Sequence, residues 1–409
     1  MHKRILLAFI GLLAPLGAQA HGNGRDVRYR VEEVEPPAVL LGACQPELGI
    51  LASAVEVNDA GIVVVNFACY THPVATVEDV NTAGDAFTWS PWFGAQPLQT
   101  ANPSACCAFA TTLNNRGEIF GGDFTQGDLG VKWTLAGGYE RVFDDPECGP
   151  GLNINAAAAG NAQYVVGWGF RTDPAMGPPY DTLCLESRWV IRTRSGEEIM
   201  GPANGQPLDI NVWSTAVGTA NFSAIRYQVQ TGQIRTLHTG DASHPPVAFD
   251  INDLGEVAGY VFSYPAGDLS ACPQAVAVRW DRDDRETILP RLPGATSARA
   301  YAVGSDGETV GDSGPGKYCP PERVTREHAV LWRNGHAVDL NDLVPRNSPV
   351  TLASAASINR RGQILAFGTL DGEAPRICPQ AIFDPDTGTS RLDLSQRCAH
   401  ERIYLLTPL

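Results

Sequence analysis

Few residues in this 409-residue chain have the types and spacing that chemistry needs, and most have a structural reading at the same place. Gly311-Asp-Ser-Gly-Pro315 sets a serine between glycines, as a serine-protease nucleophile segment does, but no matching histidine segment lies upstream. A strand running into a loop accounts for it better. Asp384-Pro-Asp386-Thr-Gly388 has the D-x-D-x-G spacing of a Ca²⁺ loop and lacks the later glutamate that completes one. A hairpin turn is expected there, with calcium the single alternative to no cofactor. The acidic cluster Asp281, Asp283 and Asp284 reads the same way. His21 would carry a free amine once residues 1–20 are removed, and amine plus imidazole can chelate copper. A second histidine would have to complete that site, and the Gly22-Asn-Gly24 leash supplies no order. His238 and His244 flank Asp241 in a polar connection rather than a metal pair. HExxH, Walker A and GxGxxG motifs are absent, and Asn221-Phe-Ser223 is a glycosylation sequon only in form. No catalytic residue, cofactor ligand or metal ligand is assigned.

The ten cysteines, Cys44 to Cys398, carry a stronger signal. Their number is even and no CxxC pair occurs, which points to disulfides rather than a metal cluster. Few or no free thiols are expected. The best pairs are Cys378–Cys398 within the last repeat and Cys44–Cys69 within the first, then Cys272–Cys319 between neighbours. Spacing alone does not determine connectivity. Disulfides need an oxidising compartment, and the first twenty residues supply a route to one. His2-Lys3-Arg4 is a basic n-region, Ile5 to Gly17 an apolar run too short to span a bilayer, and Ala18-Gln19-Ala20 a cleavage site. Residues 1–20 are therefore expected to be a signal peptide and residues 21–409 one domain. The mature chain is expected to be secreted or periplasmic, without a lipid anchor because no cysteine follows the cleavage point.

Lys+Arg number 30 against Asp+Glu 45, a net charge of −15, and losing Lys3 and Arg4 makes it −17. That sign opposes nucleic-acid binding. With 42 Gly and 30 Pro, the chain is punctuated too often for a helical bundle.

The elements that must position any site come from a repeat. Phe249-Asp-Ile-Asn-Asp-Leu-Gly-Glu-Val-Ala-Gly259 has six relatives, whose anchor positions with its own are Asn58, Asn114, Gly160, Asn211, Asn252, Gly304 and Asn359. The spacing averages 50 residues. Each unit reads as strand, turn, strand: alternating apolar residues such as Phe249 and Ile251 enter the turn, asparagine and aspartate cap it, and glycine takes φ > 0. A third strand then ends in an aromatic: Trp89, Trp133, Trp189, Tyr227, Trp280, Trp332 and Phe383. A second turn and a fourth strand complete a four-stranded meander. Seven such units match the blades of an all-β propeller, with the aromatics as inter-blade core. A linear β-solenoid is the competitor. Val27–Val34 and Arg402–Thr407 are strands without a unit of their own, as a ring closed by its two ends requires.

The pattern A-x-x-I-N-[DN]-x-G-x-[IV]-x-G, then h-A-[FV]-x-W-x-x-G, resembles the HAF-repeat family of exported bacterial proteins over roughly residues 27–409. The resemblance implies a propeller-like fold and no established reaction. This chain departs from the pattern at Ala162 and Ser214, near the turn glycine's place, and in its cysteine-bearing insertions.

In a meander, the first and third turns share one face, and here those turns are short. The opposite face carries the long second-to-third loops and the crossings, where most of the cysteines fall. The favoured function is a non-catalytic exported scaffold, a monomer without a membrane span, binding a protein, glycan or surface component through the long-loop face. The alternative is a hydrolase or lyase acting on saccharides through channel-mouth carboxylates such as Asp173, Asp181 or Asp268. Two acidic side chains facing each other in the channel would favour the alternative.

Overall fold

The computed structural model describes residues 28–42, 50–70, 82–102, 108–123, 125, 129–144, 156–172, 184–237, 246–263, 274–315, 327–374, 376–377, 380–384, 389–393, 397–398 and 400–409. Seven four-stranded antiparallel sheets stand around a common axis as a seven-bladed propeller. Among the described residues, the α-helical turn Ala38–Leu41 and the 3₁₀ turn Leu340–Asp342 lie outside them. Blades 1 to 6 run in sequence order, and their first strands are Ile50–Val57, Ala108–Leu113, Ala156–Gly160, Pro207–Ile210, Val247–Ile251 and Ser297–Val303. These strands, with Val350–Ile358 of blade 7, touch one another around the ring and form its inner wall. No helix among the described residues is long and apolar enough to cross a membrane.

Blade 7 joins the two ends of the chain and corrects one reading of the repeat. Its third strand is Arg402–Pro408 and its outermost strand is Tyr29–Glu33, paired from Tyr29↔Pro408 to Glu33↔Tyr404. The hairpin carrying Phe383, Gln380–Asp384 with Thr389–Asp393, is a separate two-stranded insertion, not the end of the blade. Leu406 opposite Ile364 takes the register that Trp280 opposite Val257 holds in blade 5. The Phe383 hairpin copies the local pattern of a blade edge, but strand pairing is decided by which strand can bury its apolar face. Ile403, Leu405 and Leu406 are each at most 2% exposed.

The turn between first and second strands follows the motif. Gly61, Gly117, Gly255, Gly307 and Gly362 all have φ between 70° and 82°. Blade 4 uses Ser214 at φ 60°. In blade 3 the turn is one residue shorter and the anchor is Asn161, not Gly160: the Asn161 amide N–H bonds the Tyr164 carbonyl, and its side chain accepts from Gln163 N and Tyr164 N. The inter-blade aromatics are buried, Trp133, Trp189 and Trp280 almost completely. Trp189 lies opposite Trp168, so the usual aromatic register is left to Arg192, which donates to the Val142 carbonyl of blade 2 at 2.5 Å.

Every first strand carries a β-bulge three residues before its anchor, at Val55, Thr111, Ala158, Leu208, Phe249, Tyr301 and Ala356. A bulge inserts one residue and turns two successive side chains to the same side. Simple alternation put Phe249 and Ile251 on one face. Instead Ala248 and Ile251 are buried, while Phe249 and Asp250 are half-buried and line the axial space. The bulge also presses the first strand onto the second. A Cβ on Gly121, Gly259 or Gly311 would stand 1.9–2.0 Å from a first-strand carbonyl, which explains the motif's final glycine in blades 2, 5 and 6.

Candidate functional site

The anchor asparagines do two jobs. Each Oδ1 accepts two backbone N–H groups of its own turn, as Asn252 does from Leu254 at 3.0 Å and Glu256 at 2.9 Å. Each Nδ2 donates to a backbone carbonyl of the next blade: Asn58 to Asn114 (3.4 Å), Asn114 to Gly160 (3.0 Å), Asn161 to Asn211 (2.9 Å), Asn211 to Asn252 (3.2 Å), Asn252 to Gly304 (2.8 Å) and Asn359 to Asn58 (2.7 Å). Six of the seven blade junctions are thus stitched around the axis. Gly304 leaves the seam between blades 6 and 7, where Ser354 Oγ instead donates to Asp312 of blade 6 at 3.2 Å. Asp312 is held by a bidentate contact from buried Arg299, which also donates to Glu327 at 2.8 Å. Where the ring lacks its asparagine, Arg360 of blade 7 reaches Asp253 of blade 5 at 2.5 Å and Asp59 of blade 1 at 3.4 Å.

A second ring lies two residues before the anchors, at the positions the bulges aim inward. Glu56 accepts from Leu113 N at 2.9 Å and from the Thr112 hydroxyl. Asp209 accepts from Ile251 N at 3.0 Å, Asp250 from Val303 N at 2.6 Å, and Ser357 from Val57 N at 3.2 Å. In blades 1, 2, 5 and 6 an N–H on the inner strand edge is thereby satisfied by the preceding blade, as buried backbone donors require.

Inside this ring is a cavity of about 630 Å³, within the range of small-ligand sites. Glu56, Asp209 and Asp250 line it, as do Phe249 and Tyr301. The Phe249 and Tyr301 rings meet edge-on at 5.5 Å, and Phe249 also packs on Tyr260 at 5.4 Å. The Asp209 and Asp250 carboxyls, on adjacent blades, act directly on each other. Burial raises both carboxyls. The Asp209 charge raises Asp250 further, and its bond from Val303 N works the other way. Burial and then the charge of Asp209 push Glu56 up to about 7, against the pull of Thr112 and Leu113.

Two carboxylates do face each other in the channel, but they are not the ones the sequence singled out. Asp173, Asp181 and Asp268 lie outside the described residues, as do His21, His238, His244, Cys44, Cys272, Cys319 and Cys378. Cys69 is 1% exposed in the core shared by blades 1 and 7. Cys398 lies in a two-strand ladder that pairs it with Arg376. Asp281 is a turn residue: its Oδ1 accepts from Asp283 N and Arg285 N, and Asp284 has φ 64°. Asp384 and Thr389 pair across their hairpin, and residues 385–388 lie outside the described residues. Gly311-Asp-Ser-Gly314 is second-strand backbone in blade 6. Among the described residues no group of three His, Cys, Asp or Glu side chains is arranged to hold a metal ion. The channel carboxylates could have been found by stacking the repeats: two before the anchor stand Glu56, Thr112, Ala159, Asp209, Asp250, Ala302 and Ser357, a mostly polar column.

No known protein family and no curated protein matches the sequence. Solved structures do. Pyrococcus horikoshii acylaminoacyl peptidase superposes with a TM-score of 0.53 at 10% identity, covering 86% of this chain and 53% of that one. The chain therefore spans about half the length of that peptidase. The β-propeller domain of the Trilobed protease from Pyrococcus furiosus gives 0.50 at 9% identity, covering 87% and 97%. That domain is described as having an open velcro topology, whereas here Tyr29–Glu33 closes the ring on Arg402–Pro408. Streptogramin B lyase gives 0.46 at 14% identity, covering 93% and 98%. The first two likenesses support a propeller fold and nothing finer.

Proposed function

We propose that the chain is an exported, non-catalytic binding propeller whose ligand occupies the axial cavity, approached from the long-loop face, and presents an ammonium group. The observation that carries this is one wall on which Asp209, Asp250, Phe249 and Tyr301 meet, with Glu56 in the same ring. Carboxylates beside aromatic faces attract a cationic nitrogen by charge and by the ring quadrupole. Of the ligand classes considered from sequence, an amino-bearing glycan combines that nitrogen with rings able to pack on Phe249. Export rests on residues 1–20, on the ten cysteines as disulfides and on the HAF-like repeats.

The test is calorimetry of the mature chain with chitosan oligosaccharides and with the same oligomers fully N-acetylated. The amino forms should bind, because ammonium groups can pair with the ionised carboxylates, and the acetylated forms should not. Equal affinity for the acetylated forms would defeat the reading.

The Asp209–Asp250 contact favours one competing reading, a hydrolase in which a proton-sharing pair does acid–base work. Against it, both carboxylates accept a backbone N–H of the following blade in the register where Ser357 does the same. Turnover of chromogenic glycosides that is abolished in Asp250→Asn would establish the hydrolase instead.

A further inference from the structure

We propose a second binding site, in the cleft between blades 4 and 5 on the short-turn face, for an anionic sugar ring such as a uronate or a sulfated residue. The cleft measures about 320 Å³, room for one or two rings rather than a polymer. It opens among the short first and third turns of the two blades, and its chemistry is the reverse of the axial cavity's.

Trp213 forms one wall. It is 67% exposed yet not free to swing: its amide N–H bonds Asn211 Oδ1 at 3.0 Å, and its indole N–H bonds the Asp253 carbonyl at 2.9 Å. Gln228 Nε2 donates to its carbonyl at 3.1 Å. An indole whose N–H is already satisfied offers its face, and a ring fixed beforehand binds with little ordering cost.

Charge decides what would stack there. Arg226, Arg235 and Arg282 all line the cleft. Asp284 is the carboxylate partner of both Arg226 (2.8 Å) and Arg235 (3.1 Å). Arg226 is consumed by the fold, since it also donates to the carbonyls of Gly255 (2.7 Å) and Asp281 (3.0 Å). Arg235 is more exposed and gives one further bond, to the Arg282 carbonyl at 3.3 Å. The exposed Arg282 side chain has no carboxylate partner among the described residues. Asp253, also in the lining, is already bridged to Arg360. Three arginines thus face two carboxylates, Asp253 and Asp284, which leaves the cleft a local excess of one positive charge on a protein of net charge −15. Guanidinium groups recognise carboxylate and sulfate by paired N–H donors, and the Gln228 and Gln233 amides can meet ring hydroxyls. A nucleic-acid strand would share the anionic chemistry but meets the repulsion of the whole molecule.

The experiment is a tryptophan-fluorescence titration of the mature chain at low salt with three probes: tri-galacturonate, a sulfated heparin disaccharide and neutral maltotriose. Either or both acidic sugars should give a saturable change that weakens with added salt, their relative strength telling carboxylate from sulfate, while maltotriose gives none. Arg282→Glu should raise the Kd at least tenfold with unchanged unfolding, because this exposed side chain holds no element in place. Trp213→Phe should abolish the spectral change while leaving the other tryptophans as they were. Equal binding of maltotriose, an unaltered Kd in Arg282→Glu, no saturable response to either acidic sugar, or tighter binding of a short oligonucleotide would each overturn the proposal.

Discussion

Replacing Asn252 by alanine measures what the asparagine ring contributes. The side chain is 8% exposed and makes four bonds: it accepts from Leu254 N and Glu256 N and donates to the Gly304 carbonyl and to Glu256 Oε2, the last of these on a half-buried carboxylate that water can still reach. Leu254 is exposed, so water replaces its acceptor at little cost. The Glu256 N–H and the Gly304 carbonyl are left in poorly solvated places, at about 1–3 kcal/mol each. The expected loss is therefore about 2–5 kcal/mol, a large share of a typical total of ~5–15 kcal/mol. Asn252→Asp keeps the two accepted bonds but sets an oxygen against the Gly304 carbonyl and the Glu256 carboxylate, so it should be destabilised at pH 7 and partly recover near pH 4. The complementary change is Gly304→Asn, which would supply the missing donor. A Cβ there meets nothing closer than 3.3 Å, the nearest atom being Asp306 Oδ1, and the residue is not in the left-handed region. It should gain about 0.5–1.5 kcal/mol, the worth of an ordinary net hydrogen bond. Urea unfolding followed by far-ultraviolet circular dichroism reads all three. If Asn252→Ala costs less than about 1 kcal/mol, or Gly304→Asn destabilises, the ring is not the latch described above.

Other outcomes follow from the same geometry. With Glu56 held up to about 7 from 4.5, the folded state binds its proton more tightly than the unfolded chain, so the benefit is complete below 4.5 and lost as pH rises through about 7. Glu56→Gln should match the parent near pH 4 and exceed it by up to about 3 kcal/mol at pH 8; parallel stability–pH curves would refute this. Deleting residues 400–409 removes Ile403, Leu405 and Leu406, each worth ~1.5–3 kcal/mol of burial, and should unfold or aggregate the protein, whereas trimming 21–26 should be harmless. A truncated chain that melts like the parent would show that the ends do not latch. Thiol labelling of the denatured, unreduced mature chain should find few or no free cysteines, and several labelled sites per molecule would contradict the disulfide reading.

Features decided within a dozen residues were legible in the sequence. Asn252-Asp-Leu-Gly255 declares its turn because asparagine capping and a positive-φ glycine are local requirements; four turns carry both, three carry variants, and their recurrence about every 50 residues declares the blades. Ring closure was legible too, since Val27–Val34 and Arg402–Thr407 had no unit of their own and open edges seek a partner; they pair as Tyr29–Glu33 with Arg402–Pro408, the latter as the third strand of blade 7. The Phe383 hairpin misled because it satisfies the same local pattern, and only competition for burial excludes it from blade 7. The bulges were hidden because alternation is a property of one strand, while a bulge is a property of a pair. Without them Asp250 falls on the wrong face. The meeting of Asp209 with Asp250 needed more still: two side chains 41 residues apart become neighbours only when adjacent blades stand at the angle a closed seven-fold ring imposes. The sequence by itself determined turns, strands and their number. The tertiary structure decided which polar side chains share the axis, because that depends on closing the ring rather than on any segment within it.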